Sequence, residues 1–254
     1  MEIERKLNKN RRGFTLIELA VSMTILALAV GGGLKVASRN IEANRIQLTN
    51  DRLEYIMQTI EKYALEFNQI PCPADGSLAP NHTDFGIGGG TGAGTCTSEN
   101  FTDVITPTTN LVTGAIPINN LGINPKYMFD GWNKKFTYVV DEDLTDTAGF
   151  AGADDGGIQI QDENDISLIN SGAITTAAVL VISHGKNGHG AYRVKGAPVV
   201  RATQGANAGT HEEDNAHITN PATTYDSIFR LTPYRTQGDV FDDILDYRLK
   251  WQLN

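Results

Sequence analysis

Glu18 is the residue whose position in this sequence most strongly suggests a chemical role. It is the only ionisable side chain among the 21 residues from Phe14 to Leu34, a run that is otherwise apolar, small or hydroxyl-bearing. A carboxylate in such a run costs about 2.5–3.5 kcal/mol on membrane-insertion scales, and less near a helix end. We therefore expect Glu18 to have a partner. The alternative is a carboxylate that reaches towards the lipid headgroups from the end of a helix.

Histidines and acidic residues are the other candidates for catalysis or metal binding. Zinc proteases place two histidines in an H-E-x-x-H helix, and the histidines of this chain lack that spacing. Glycine and asparagine explain the turn at 183–188 without any chemistry. No G-x-S-x-G nucleophile motif is present, and the many acidic residues do not select a catalytic pair. The sequence therefore predicts no enzyme. The residues weighed for these roles are His184, His189, His211, His217, Asp141–Asp143, Asp154–Asp155 and Asp242–Asp243.

The element that must position Glu18 is the apolar run itself. A helix from Phe14 to Leu34 is long enough to cross about 30 Å of hydrocarbon at about 1.5 Å per residue. The short basic segment before the run is expected to stay in the cytoplasm, so the rest of the chain is exported. Cys72 and Cys96 then lie in an oxidising compartment, where an even pair predicts a disulfide.

Beyond Leu34 the pattern becomes amphipathic and predicts that the same helix continues to about Asn68, where Pro71 and Pro73 follow. Short strands and turns then predict an α+β fold, with a long N-terminal helix packed on a globular head that contains an antiparallel sheet. The predicted apolar helix positions are Ile41, Leu48, Leu53, Ile56, Ile60, Ala64 and Phe67, and the predicted strands are 135–140, 157–161, 177–183 and 245–253.

The charge of the chain is unevenly distributed. The formal net charge is −9, but residues 1–13 carry five basic and two acidic side chains, which leaves −12 for the remainder. No stripe rich in lysine and arginine remains outside the leader to neutralise phosphates. The charge therefore predicts no nucleic-acid partner.

The basic leader, Gly13 and the following Phe-Thr-Leu-Ile-Glu resemble the start of type IV pilins and type II secretion pseudopilins. The resemblance implies that a prepilin peptidase cleaves between Gly13 and Phe14 and methylates the new amino terminus of Phe14. That amine would lie one helical turn from Glu18, within reach of its carboxylate. In the family, the equivalent glutamate instead meets the amine of a neighbouring subunit during assembly, which implies an assembly role for Glu18.

Two stretches of the head resemble the major type II pseudopilins, 130–138 and 212–218. The family binds calcium in the loop around the second stretch, which implies Glu212, Asp214 and Asn215 as candidate ligands. His217 replaces an aspartate of the family's pattern, and calcium takes six to eight oxygen ligands. A solvated acidic loop without metal is the alternative.

These features predict three segments, a leader at 1–13, a helix at 14–68 that spans the inner membrane to about residue 34, and a periplasmic, β-rich head at 69–254. The resemblance implies a structural subunit of a pilus or pseudopilus, and the head of about 185 residues favours a minor or specialised one. Its partners would be other pilin subunits, prepilin peptidase, the inner membrane and the assembly platform. The alternative is a membrane-tethered periplasmic binding protein that does not polymerise.

Overall fold

The computed structural model of the protein describes residues 15–90, 96, 104–106, 109–153, 155–170, 172, 174–192, 209–216, 227–235 and 238–253. Gly13, Phe14 and His217 lie outside the described residues. The chain divides into two compact units, residues 1–44 and residues 45–254.

The first unit contains the beginning of helix α1, which extends from Leu16 to Phe67. Within the described residues, no helix combines the length and the apolarity that crossing a membrane requires. The apolar side chains at the start of α1 are each at least half exposed. They are Leu16, Ile17, Leu19, Val21, Met23, Ile25, Leu26, Leu28 and Val30.

In the second unit, α1 buries one apolar face, as its amphipathic pattern predicts. The buried residues are Leu53, Ile56, Met57, Ile60 and Ala64. The predicted positions Ile41, Leu48 and Phe67 of α1 are wrong, because all three side chains are more than 40% exposed. Among the described side chains of α1, the first that is fully buried is that of Thr49.

The end of α1 is set by Asn68, as predicted. Asn68 has a positive φ of 50°, a conformation that asparagine tolerates better than most residues. Its N–H still donates to the carbonyl of Ala64 at 2.8 Å. The prolines at 71 and 73 then prevent the helix from continuing.

A five-stranded antiparallel sheet forms the centre of the head, which confirms the predicted α+β class. Its strands lie in the spatial order β1-β2-β3-β5-β7. They are β1 (Val104–Thr106), β2 (Thr109–Gly114), β3 (Thr137–Asp141), β5 (Val179–Ser183) and β7 (Ile244–Arg248).

Smaller elements surround this sheet. The strands β4 (Gln159–Gln161) and β6 (Ile228–Arg230) pair in parallel as a separate two-stranded sheet. The short helices are α2 (Thr147–Ala151) and α3 (Thr210–Ala216). Single 3₁₀ turns occur at Pro125–Met128, Glu142–Thr145 and Lys250–Gln252.

The central strands β3 and β5 are buried on both faces, so alternate residues enter two different cores. Tyr138, Val140 and Val181 join the cluster that contains the buried face of α1. Val139 and Leu180 join a second cluster with residues of β4, β6 and β7. The sheet is therefore the middle layer between α1 and the two-stranded sheet.

The C-terminal strand is shorter than its alternating pattern predicts. The prediction runs from Leu245 to Leu253, but β7 ends at Arg248 and a 3₁₀ turn follows. The side chain of Gln252 accepts a hydrogen bond from the Leu249 N–H at 2.7 Å, which closes this turn. Because a 3₁₀ turn does not alternate its side chains as a strand does, Trp251 is 56% exposed instead of buried.

A disulfide joins Cys72 to Cys96, as the sequence predicts, with their Cα atoms 5.4 Å apart. Both cysteines are buried against the core that contains α1. The Cys96 N–H also donates to the Glu142 carboxylate at 2.7 Å. The disulfide and this hydrogen bond together connect the segment after α1 to the 3₁₀ turn that follows β3.

We expect the double substitution Cys72→Ser, Cys96→Ser to lower the free energy of unfolding by about 3 kcal/mol, because the bond closes a loop of 24 residues in sequence separation. Chemical denaturation followed by circular dichroism measures this difference. Reduction of the unsubstituted protein serves as the control and should give the same loss. An unchanged denaturation midpoint in both cases would contradict the stabilising role.

Candidate functional site

Glu18 lies in the first turn of α1, where Thr15 precedes the helix. The Thr15 hydroxyl accepts a hydrogen bond from the Glu18 N–H at 3.3 Å, and the Thr15 carbonyl accepts one from Leu19 at 3.1 Å. Thr15 is therefore the N-cap residue, and Glu18 occupies the third helical position of a T-x-x-E sequence. A carboxylate in the first turn also interacts favourably with the helix dipole, by about 0.3–1 kcal/mol. Sequence reasoning weighed Glu18 without recognising the cap at Thr15.

A second set of titratable residues gathers at one edge of the five-stranded sheet. Antiparallel neighbours place the end of one strand beside the start of the next. Thr137 of β3 pairs with Ile182, and Ile244 of β7 pairs with Ser183, the last residue of β5. The segments before β3, after β5 and before β7 therefore meet, and α3 adds one residue. We call the four buried carboxylates there the carboxylate cluster: Asp130, Glu212, Asp242 and Asp243.

Asp130 organises the turn that leads towards β3. One of its oxygens accepts hydrogen bonds from the N–H groups of Trp132 and Lys134, at 2.9 and 2.8 Å. The other oxygen accepts from the Ser183 hydroxyl at 2.7 Å. Burial raises the pKa of Asp130, although these hydrogen bonds oppose the shift.

The turn after β5 supplies the next contacts of the cluster. The Asn187 main-chain N–H donates to Asp242 at 2.8 Å, and its side-chain amide donates to Glu212 at 2.7 Å. Gly185 and Gly188 have φ of 51° and 68°, a region that favours glycine. A Cβ at Gly185 would collide with Asp242, and one at Gly188 with the Lys134 ammonium group.

Glu212 extends from α3 into the centre of the cluster. Its carboxylate accepts hydrogen bonds from the Asp242 N–H at 2.7 Å and the Gly209 N–H at 3.3 Å, besides that from Asn187. The side chain is fully buried. Burial, together with the nearby Asp242 carboxylate, raises the pKa of Glu212 to about 7, although these hydrogen bonds oppose the shift.

Asp242 and Asp243 precede β7 and complete the cluster. One Asp243 oxygen accepts from the Asn215 amide at 2.9 Å, and the other lies 3.8 Å from Nδ1 of His184. Burial raises the pKa of Asp242, and it raises the pKa of Asp243 well above its ordinary value. Within the described residues, Oδ1 of each aspartate is buried without a hydrogen-bond partner. The cluster therefore holds more acceptors than its N–H donors satisfy.

Lys134 lies close to this cluster and contacts the turn after β5. Its Nζ donates to the carbonyl of Lys186 at 2.5 Å and to the carbonyl of Gly185 at 3.2 Å. Burial lowers the pKa of Lys134, whereas all four members of the carboxylate cluster raise it. These four interactions indicate that the ammonium group and the carboxylates lie within electrostatic range of one another.

The residues implied for calcium do not converge on one point. Asp214 accepts a hydrogen bond from the Arg230 guanidinium at 2.8 Å. Asn215 accepts from the Arg230 N–H at 2.6 Å and donates to the Arg230 carbonyl at 3.0 Å and to Asp243. Glu212 points instead towards Asp242 and Asp243, and one oxygen of each of these three lies within 4.8 Å of the others. Within the described residues, Glu212, Asp214 and Asn215 therefore do not gather as one group of oxygen ligands, and the calcium site stays a prediction.

The histidines weighed for zinc have other contacts in the described structure. Nε2 of His184 lies 2.8 Å from the Thr137 hydroxyl, and Nε2 of His189 lies 3.1 Å from the Glu213 carboxylate. Both side chains are buried beside the carboxylate cluster. Among the described residues, the one group with the proximity of metal ligands is Glu212, Asp242 and Asp243, and it contains no histidine.

Sequence reasoning missed the parts of the cluster that lie far apart along the chain. It noted the stretch at 130–138 as a resemblance and the pair at 242–243 as unselective acidic residues. It assigned no role to Lys134. The available signal was that Asp130 and Lys134 precede one predicted strand and that Asp242 and Asp243 precede another. In an antiparallel sheet, such segments can meet at one edge.

We expect the head to lose stability as the pH rises from about 5 to about 8, because Glu212 binds its proton more tightly when folded than when unfolded. Its contribution is fully present below the ordinary carboxylate pKa and is lost as the pH passes its raised value of about 7. Glu212→Gln should make this pH dependence shallower, which denaturation at several pH values measures.

The matched control is Glu66→Gln, since Glu66 is exposed on α1. This variant should keep the pH dependence of the unsubstituted protein. A Glu212→Gln protein with an unaltered slope would refute the assignment.

Comparison with known proteins identifies the N-terminal segment. Residues 8–34 match the family model described as the prokaryotic N-terminal methylation motif. No curated protein and no solved structure matches the chain. The matched segment includes the capped start of α1 and Glu18. The chain therefore carries the N-terminal methylation motif that is the signature of type IV pilins and pseudopilins.

Proposed function

We propose that this chain is a structural subunit of a type IV pilus or a type II secretion pseudopilus, and a minor or specialised one. The observation that carries the proposal is the methylation motif at residues 8–34, which supports a pilin-like or pseudopilin subunit in general. The motif coincides with the part of α1 whose apolar side chains are exposed.

The exposed start of α1 supports assembly through this helix. Nine apolar side chains between Leu16 and Val30 are at least half exposed, and they are distributed around the helix. Transfer of apolar surface out of water is favourable by about 25 cal/mol per Å². A helix that is apolar all round therefore requires a bilayer or other helices around it. We infer that the inner membrane covers this segment before assembly and that helices of other subunits cover it afterwards.

Processing would create the partner that Glu18 requires. Cleavage between Gly13 and Phe14 leaves a new amine directly before Thr15, so the cap of α1 is retained. The amine and Glu18 are four residues apart, a spacing at which opposite charges attract on a helix. In a filament, the same carboxylate would pair with the amine of a neighbouring subunit.

The head supports a structural role more than a catalytic one. The carboxylate cluster is buried, and most of its oxygens accept hydrogen bonds from main-chain or side-chain donors of the head itself. Such contacts join distant segments. The alternative, a membrane-tethered binding protein that does not polymerise, would keep the same anchor, and the following two experiments separate it from the proposal.

Intact mass spectrometry of the protein from a bacterium that contains prepilin peptidase tests the processing. We expect a chain that begins at Phe14 and carries one additional methyl group. The same gene in a peptidase-deficient strain is the control and should yield the unprocessed chain. A protein that begins at Met1 in both strains would refute the proposed processing.

The substitution Glu18→Val tests the assembly role. We expect the variant to be inserted and cleaved, as its mass would show, but to enter sheared or cross-linked filaments at least about tenfold less, because the charge pair is lost. Thr24→Val on the same helix is the matched control and should assemble normally. Normal incorporation of Glu18→Val would contradict the role of the carboxylate, and a processed chain that never enters filaments would favour the tethered binding protein.

A further inference from the structure

The turn between Ser183 and His189 presents main-chain oxygens to a positive charge. The carbonyls of Gly185 and Lys186 both accept hydrogen bonds from the Lys134 ammonium group, at 3.2 and 2.5 Å. Lys134 comes from the turn before β3, so these two hydrogen bonds join segments about fifty residues apart in sequence.

The same ammonium group lies in the field of four buried carboxylates. Asp130, Glu212, Asp242 and Asp243 are each at most 4% exposed. A buried carboxylate requires a proton, hydrogen-bond donors or a nearby cation. The donors are incomplete, because Oδ1 of both Asp242 and Asp243 is without a hydrogen-bond partner among the described residues. These oxygens must therefore be compensated by protons or by a nearby cation, and Lys134 is a cation within their electrostatic range.

We propose that the Lys134 ammonium group is the resident cation of the carboxylate cluster and supplies the positive charge that a divalent metal ion would otherwise supply. Main-chain carbonyls and carboxylates are the oxygen groups with which proteins bind calcium. Here they converge from the turn before β3, the turn after β5, α3 and the segment before β7. Lys134 donates N–H groups to two of the carbonyls and acts on the carboxylates through its positive charge.

The backbone of the turn after β5 leaves space for the Lys134 side chain. Gly188 has a positive φ, and a Cβ there would collide with Nζ, Cε and Cδ of Lys134. The backbone of the turn therefore lies directly against the end of the lysine side chain. A metal ion bound to the same carboxylates would meet an ammonium group of the same sign, so each cation disfavours the other.

Metal dependence of the unsubstituted full-length protein in detergent is the direct test. We expect millimolar calcium, magnesium or a chelator to leave the melting temperature of the head unchanged, and calcium alone to give no binding heat in titration calorimetry. A melting temperature that rises with calcium and falls with chelator would overturn the proposal, because the loop would then hold a metal ion. This measurement needs no variant and is independent of filament assembly.

Substitution of Lys134 tests whether its positive charge stabilises the head. Lys134→Met keeps the length of the side chain without its charge, and we expect it to lower the melting temperature by about 4 °C or more, since the carboxylates lose their counter-charge. Lys62→Met is the matched control, because Lys62 is exposed on α1. A Lys134→Met protein as stable as the control would overturn the proposal.

Discussion

The packing of α1 against the central sheet is the constraint on which the rest of the head depends. Ile56, Ile60 and their neighbours cover one face of β3 and β5. The same helix binds the turn before β3, because the Thr49 hydroxyl accepts from the Gly131 N–H at 2.9 Å and Arg52 donates to the Phe129 carbonyl at 2.5 Å. A Cβ at Gly131 would collide with the main chain of Arg45, so only glycine permits this approach. The helix thereby positions the turn that carries Asp130 and Lys134.

The carboxylate cluster follows from this arrangement and from the antiparallel register. The turn before β3, the segment before β7 and α3 each bring a buried acidic residue to one edge of the sheet. Desolvation destabilises the charged form of a buried carboxylate. In this cluster, N–H donors, raised pKa values and the charge of Lys134 compensate for that loss of solvation. Under the role proposed for Lys134, the head would keep its shape without a bound metal ion.

The two parts of α1 use the same secondary structure in opposite ways. From Thr49 onwards the helix buries a stripe and exposes the remainder, so its apolar residues are satisfied within the chain. Between Leu16 and Val30 the apolar residues are exposed, so their cover must come from outside the described structure. The position of the methylation motif on this uncovered part connects the proposed assembly with a physical need for cover.

The features that depend on neighbouring residues could be predicted from the sequence. The helix with its end at Asn68, the α+β class, the cysteine pairing and the motif around Glu18 were all predicted, because propensity, periodicity and local motifs act over a few residues or leave few choices. The end of β7 was missed, since a 3₁₀ turn closed by hydrogen bonds within Leu249–Leu253 replaces the predicted end of the strand. The carboxylate cluster and the position of Lys134 depend on the tertiary fold. Strand order and register brought together residues more than a hundred positions apart, and no local pattern specifies that juxtaposition.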